Sequence, residues 1–411
     1  MKKIIVFVLF FLLMHFENYS IGPVKISIIW KLILLPILII YNYKTPKRRD
    51  ILRYEKIYRP LFYLSLLSLF SFFYDPESAL RYSSLFLLFY HLGVYTLGLK
   101  LATLIKYINF FKTFFIICFV PYFFGLESKG QVYDLEKYGG GMGVSGPFAN
   151  PHTASMILAI TSLICLFVFI NSKKKKERYW NMGLFALSIF FLVNTFVRTG
   201  LAMFVIGALP ILIKKINMKY VVSGVFLIGL IAYGLSSFVD SDSVFYKRLI
   251  GKSRHNEEKT FEQAGSGRGL LFLTGLDIIK SNDSALYMIF GLGEANLKKE
   301  IKKRTGNLIV THNGFLDLLL ITGLLGFALF LYFLIKNIGI IRKSNSKLLR
   351  GLGMSIYFTI VVMVFFQDFK RIYPFLFLII INSIIIQLLN DSNKKIDSFK
   401  EIVSGIKMAN A

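Results

Sequence analysis

The sequence predicts an all-α, polytopic membrane protein, and three observations carry that prediction. Hydrophobic residues make up 55% of the chain and charged residues only 18%. Several apolar stretches approach or exceed the roughly 20 residues that a helix needs to cross a bilayer, and a soluble core would not hide them all. Lys and Arg crowd into a few connections between those stretches, as they do in the cytoplasmic loops of membrane proteins.

About twelve transmembrane helices are expected, near 4–20, 24–43, 60–74, 79–98, 104–124, 151–171, 180–197, 200–213, 219–239, 312–335, 351–367 and 372–390. The first follows Lys2 and Lys3 in the manner of a signal peptide. Met14-His15-Phe16-Glu17 makes a poor cleavage site, so the helix is read as retained. The third and eighth are short and call for tilting or a slight extension. The sixth opens at Asn150-Pro151, a helix-start signal, because proline fits the first turn. The tenth opens in THNGFLDLLLITGLLG, where a histidine, an amide and a carboxylate stand at the lip of an apolar run.

Orientation follows from the basic residues. They gather at 44–59, at 173–178, at Lys214, Lys215 and Lys219, and at 342–350. With twelve spans these connections share one side with the Lys-bearing tail, and that side is cytoplasmic. Both termini are therefore expected on the cytoplasmic side. The whole chain, 1–411, is read as a single transmembrane domain with two long outer connections. One is the Gly-rich loop 126–150. The other is the large outer loop 240–310, expected to hold short helices around Leu270–Ile279 and from Glu294 to Arg304, the latter stopped by Gly306.

The net charge of +26 fits this topology and does not call for a nucleic-acid partner. Cys118 and Cys165 lie in apolar runs and give neither a disulfide framework nor a metal spacing. No zinc pattern is present, and no metal or other cofactor is expected.

The unusual polar residues gather toward the outer side. They are Asn150 and His152 at the start of the sixth helix, Arg198 at the end of the seventh, Arg268 in the large loop, His312, Asn313 and Asp317 on the tenth, and Arg371 in the last outer turn. An ionisable group at membrane depth usually faces a polar cavity or a partner. Arginine suits phosphate because its planar fork donates in pairs and stays charged. Histidine suits proton transfer because it titrates near neutrality. Each residue also has an ordinary reading. His312 alone is an interfacial residue, Arg198 snorkels to head groups, Arg268 is a solvated loop charge, and Asp317 is a satisfied core carboxylate. The run KKEIKKR is a solvated face or a contact to anionic lipid.

Four stretches, GPFANPHTAS, FVRTGLA, SGRGLL followed by FGLGEAN, and THNGFLDLLLITGLLG, occur in this order. Together they resemble the O-antigen polymerase and ligase superfamily of bacterial envelope polysaccharide assembly, and the polymerase branch in particular. The resemblance implies a multi-spanning, lipid-dependent glycosyltransferase fold of the GT-C kind. It implies transfer of a glycan from undecaprenyl pyrophosphate to an acceptor hydroxyl on the outer face of the inner membrane. Arg198 and Arg268 would hold the pyrophosphate, and His312 would act on the acceptor hydroxyl or orient it. Asn150, His152, Asn313, Asp317 and Arg371 are expected to contact substrate. The partners implied are the lipid-linked donor and acceptor, membrane lipid and a chain-length regulator protein. A ligase acting on a lipid A core and a flippase of lipid-linked sugars are the alternatives. Paired repeats would mark a transporter, and the chain has none.

Overall fold

The fold is a computed structural model that describes residues 20–21, 24–44, 53–121, 143–148, 150–213, 264–282, 284–370 and 372–390. A two-residue antiparallel pair, β1 (Ser20–Ile21) with β2 (Val24–Lys25), precedes the helices. Then come α1 (Ile26–Lys44), α2 (Arg59–Phe70), α3 (Pro76–Leu97), α4 (Leu101–Ile117), α5 (Pro151–Asn171), α6 (Lys175–Asn194) and α7 (Arg198–Leu212). They are followed by α8 (Ala264–Lys280), α9 (Ala285–Phe290), α10 (Glu294–Thr305), α11 (Gly314–Lys343), α12 (Lys347–Phe366) and α13 (Ile372–Asn390).

The helices expected at 4–20 and 219–239 lie outside the described residues. The others are helical, with corrections at their ends. The helix expected over 104–124 stops at Ile117, ahead of Pro121, whose ring and missing N–H oppose continuation. The one expected over 79–98 starts three residues earlier, at Pro76, because Asp75 caps it by accepting the Ser78 N–H at 3.2 Å. Among the described residues, four helices are long and apolar enough to cross a membrane: Pro151–Asn171, Gly314–Lys343, Lys347–Phe366 and Tyr373–Asn390. Leu32–Lys44, Arg59–Phe73 and Arg198–Leu212 are shorter and apolar.

The chain gathers into two compact units. The first takes residues up to Leu104, Glu258–Lys343 and Met363–Asp391. In it α3 packs on α1, α2 and α13, while α11 packs on α2, α9 and α13. Its centre is aromatic: Phe86 stacks on Phe369, and Phe330 meets both Phe369 and Phe375 edge-on. Polar pairs cross between helices, including Thr96 with Ser383 at 2.9 Å and Asn382 with Asn337. Each such bond contributes only about 0.6 kcal/mol in a membrane. Side-chain packing therefore supplies most of the stability, and the polar pairs fix register.

Helix α11 is broken. Gly323 has φ 70° and ψ −177°, outside helical space, so the expected continuous span is two segments meeting at a kink. The carbonyls of Leu320 and Ile321 accept the N–H groups of Leu292 and Gly293 at 2.8 and 3.2 Å. Carbonyls exposed in a bilayer interior have no water to bond, so this loop segment repairs the ladder. The repair requires glycine twice. A Cβ on Gly323 would lie 2.2 Å from the Ile289 carbonyl oxygen, and one on Gly291 (φ 84°) 2.2 Å from that of Ile321.

The second unit takes Ile105–Glu257, Ser344–Val362 and the residues from Ser392 on. Helix α5 is its axis, buried along most of its length, with α6 and α7 packed on it. Small residues let the helices approach, as where Gly200 backs onto Ser155, and Ser162 donates to Ser188 at 2.8 Å.

Candidate functional site

The first unit builds its polar site around the turn Thr311-His312-Asn313. Asn313 caps α11, its Oδ1 accepting the Leu316 N–H at 3.0 Å, and this is why the helix begins at Gly314 and not at residue 312. Asp317, one turn inside, accepts with Oδ1 from the Thr311 N–H at 2.8 Å and the Thr311 hydroxyl at 2.7 Å. That hydroxyl in turn accepts the Asn313 N–H at 3.2 Å. His312 is thus held between two clamped neighbours and takes φ 57°. A left-handed conformation costs a side-chain-bearing residue about 1–2 kcal/mol. The Thr311–Asp317 clamp offsets that cost and presents the half-buried imidazole off the end of the helix.

Two further elements meet this turn. Helix α8 reaches it where a Cβ on Gly275 would touch Thr311 and Leu316, and two turns earlier on α8 stands Arg268. The Arg268 guanidinium donates to the Phe366 carbonyl at 3.1 Å. The stretch after Phe366 leans on Gly314, where a Cβ would lie 3.0 Å from Asp368 and Phe369 backbone atoms. Burial and the nearby charges of Arg268 and Lys370 pull the His312 pKa below its ordinary value, against the opposing pull of Asp368. The imidazole is therefore neutral at neutral pH, the form that accepts a proton.

Beside this turn lies a buried ion cluster. Glu294, 3% exposed, accepts from Arg81 at 3.2 Å, Lys298 at 2.8 Å, Lys370 at 3.0 Å and the Tyr82 hydroxyl. Burial pushes its pKa up, but the Lys370 and Arg81 charges and the Lys298 and Tyr82 hydrogen bonds outweigh burial and hold it well below the usual carboxylate range. Asp75 secures the start of α10 by accepting the Ala295 N–H at 2.7 Å.

The second unit collects the remaining candidates. Asn150 caps α5, its Oδ1 accepting the Thr153 N–H at 2.9 Å, and His152 stands in the first turn. Val144 donates to the Asn194 carbonyl at 3.0 Å, so the end of the Gly-rich loop lies along the turn that precedes Arg198. That turn includes Phe196 at φ 54°, and Arg198, exposed, opens α7. The four quoted stretches thus form two groups. GPFANPHTAS and FVRTGLA meet in the second unit; SGRGLL, FGLGEAN and THNGFLDLLL meet in the first. Arg371 lies outside the described residues. Among the described residues no three His, Cys, Asp or Glu side chains stand close enough to share a metal ion.

Sequence reasoning read Asn150, Asn313 and Asp317 as substrate contacts, and here each of them caps or clamps backbone. It assigned no role to Glu294, Arg81, Tyr82 or Lys370. The signal for Glu294 was present in FGLGEAN, where an acidic residue directly follows Gly291 and Gly293, both at positive φ.

Helices of membrane-spanning length and a half-buried histidine and arginine beside a broken one define a class, that of helical membrane proteins with a polar site at a helix end. Residues 183–331 match the family model described as O-antigen ligase, so this part of the chain is similar to that family. The matched stretch contains Arg198, Arg268, Glu294, His312 and Asp317. Members of this family are glycosyltransferase-like enzymes of O-antigen polymerisation or ligation. No curated protein matches the chain.

Proposed function

We propose that this protein is a polymerase of lipid-linked oligosaccharide repeat units in a bacterial inner membrane, acting at the outer face and with both termini in the cytoplasm. The donor and acceptor are glycans on undecaprenyl pyrophosphate, and the product is O-antigen, capsule or exopolysaccharide. The observation that carries the reading is a half-buried His312 on a turn that Thr311 and Asp317 clamp, reached at Gly275 by the helix that bears Arg268.

The chemistry follows from those groups. The bond from the anomeric carbon to the pyrophosphate oxygen breaks, and a bond from the acceptor oxygen to that carbon forms. The acceptor proton passes to the His312 imidazole. The electron pair leaves with undecaprenyl pyrophosphate, whose growing negative charge the Arg268 guanidinium stabilises in a water-poor setting. Anchoring Arg268 to the Phe366 carbonyl limits its rotamers before substrate arrives, which lowers the cost of orientation. The resemblance assigns anion binding to Arg198 as well. A chain-length regulator protein is a further proposed partner.

Deleting the gene tests the reading. A polymerase deletion leaves acceptors capped with a single repeat unit. Unattached lipid-linked polymer marks a ligase instead, and repeat units stranded on the inner leaflet mark a flippase. Either result overturns the polymerase assignment.

A further inference from the structure

The cluster around Glu294 has no part in the chemistry above, yet its placement is specific. The three cations that reach the carboxylate come from different places: Arg81 on α3, Lys298 on α10 itself, and Lys370 on the segment joining α12 to α13. The carboxylate is fixed from behind. Leu292 and Gly293 bond the broken helix, and the Ala295 N–H bonds Asp75. Such a cluster is a weak source of stability, because desolvating the charges consumes most of their attraction. Its better-attested use is to fix register.

What it fixes is the segment Phe366–Lys370. At one end the Phe366 carbonyl holds Arg268. In the middle, Asp368 and Phe369 backbone atoms press against Gly314, two residues past His312. At the other end Lys370 bonds Glu294, and Asp368 stiffens the turn by accepting the Lys370 N–H at 2.9 Å. One short stretch of chain therefore touches the supports of both site groups, and Glu294 holds its far end.

We propose that Glu294 is a positioning residue that sets the placement of Arg268 relative to His312 through Lys370 and the Phe366–Lys370 segment. This deepens the reading of Arg268 and His312 as the reacting pair, and rests on it.

The test measures turnover per folded molecule of purified protein in lipid nanodiscs, with an undecaprenyl-pyrophosphate-linked repeat unit as substrate. Glu294→Gln and Lys370→Met are each expected to lower turnover about 10-fold to 100-fold, the range for a misplacement of about an ångström. Because both act through one contact, the double variant is expected to be no worse than the weaker single. Glu294→Asp, which keeps the charge, recovers part of the loss. Turnover per folded molecule unchanged in Glu294→Gln, or losses that multiply in the double variant, would overturn the proposal. His312→Ala run alongside separates the two claims. An inactive His312→Ala with a fully active Glu294→Gln removes only the positioning role. A fully active His312→Ala removes the site reading on which it rests.

Discussion

Replacing Asp317 by alanine isolates what holds His312 in place. The substitution removes the Oδ1 that accepts from the Thr311 N–H at 2.8 Å and its hydroxyl at 2.7 Å. A net hydrogen bond contributes about 0.5–1.5 kcal/mol, so about 1–3 kcal/mol of local restraint is lost with the two. The left-handed backbone of His312 (φ 57°) costs about 1–2 kcal/mol and is no longer held against it. Restraint lost matches the strain stored, so the turn relaxes. A bias of 1–2 kcal/mol corresponds to a factor of about 5 to 30 in population. Turnover per folded molecule is expected to fall by that factor, measured as undecaprenyl pyrophosphate released by purified protein. Asp317→Asn keeps an acceptor at Oδ1 and should stay within about threefold of wild type, since both bonds to Thr311 can still form. If Asp317→Ala turns over at the wild-type rate, the clamp does not hold the catalytic conformation and the reasoning is wrong.

Two further outcomes are expected. Gly323→Ala forces a side chain against the Ile289 carbonyl at φ 70°, at about 1–3 kcal/mol of strain plus about 1 kcal/mol for each of two lost hydrogen bonds. Its thermal midpoint in detergent should drop by several degrees, while Gly339→Ala on the same helix, with open space around it, should not. Turnover should also show an acid limb, lost as pH falls and the imidazole protonates, with a midpoint below about 6.5, because burial and Arg268 lower the His312 pKa. A midpoint above neutrality would contradict the assignment of His312 as the base.

Much of the fold is legible in the sequence, and the exceptions have physical causes. The bounds 151–171 and 372–390 coincide with α5 and α13, because Asn150-Pro151 caps one and an apolar run interrupted only by Asn382, Ser383 and Gln387 defines the other. The helix read from Glu294 ends where expected, at Gly306. The break at Gly323 was not legible. A lone glycine in an apolar run is tolerated in a helix, and its reason here is a hydrogen-bonding partner about 30 residues upstream. The same holds for Glu294, whose cation Arg81 stands 213 positions away. His312 and Arg268 stood out because ionisable groups are rare near membrane depth. Asp317 stood out for the same reason, but its bonding to Thr311, which makes it a clamp, depends on a turn conformation that residue types alone do not specify.

The central claim is that Arg268 and His312 act on a lipid diphosphate. The most direct measurement is the release of undecaprenyl pyrophosphate from a lipid-linked repeat unit by the purified protein in nanodiscs. The account predicts release with concurrent glycan lengthening by the wild type, and neither from a folded His312→Ala. Lengthening by His312→Ala at the wild-type rate would contradict it.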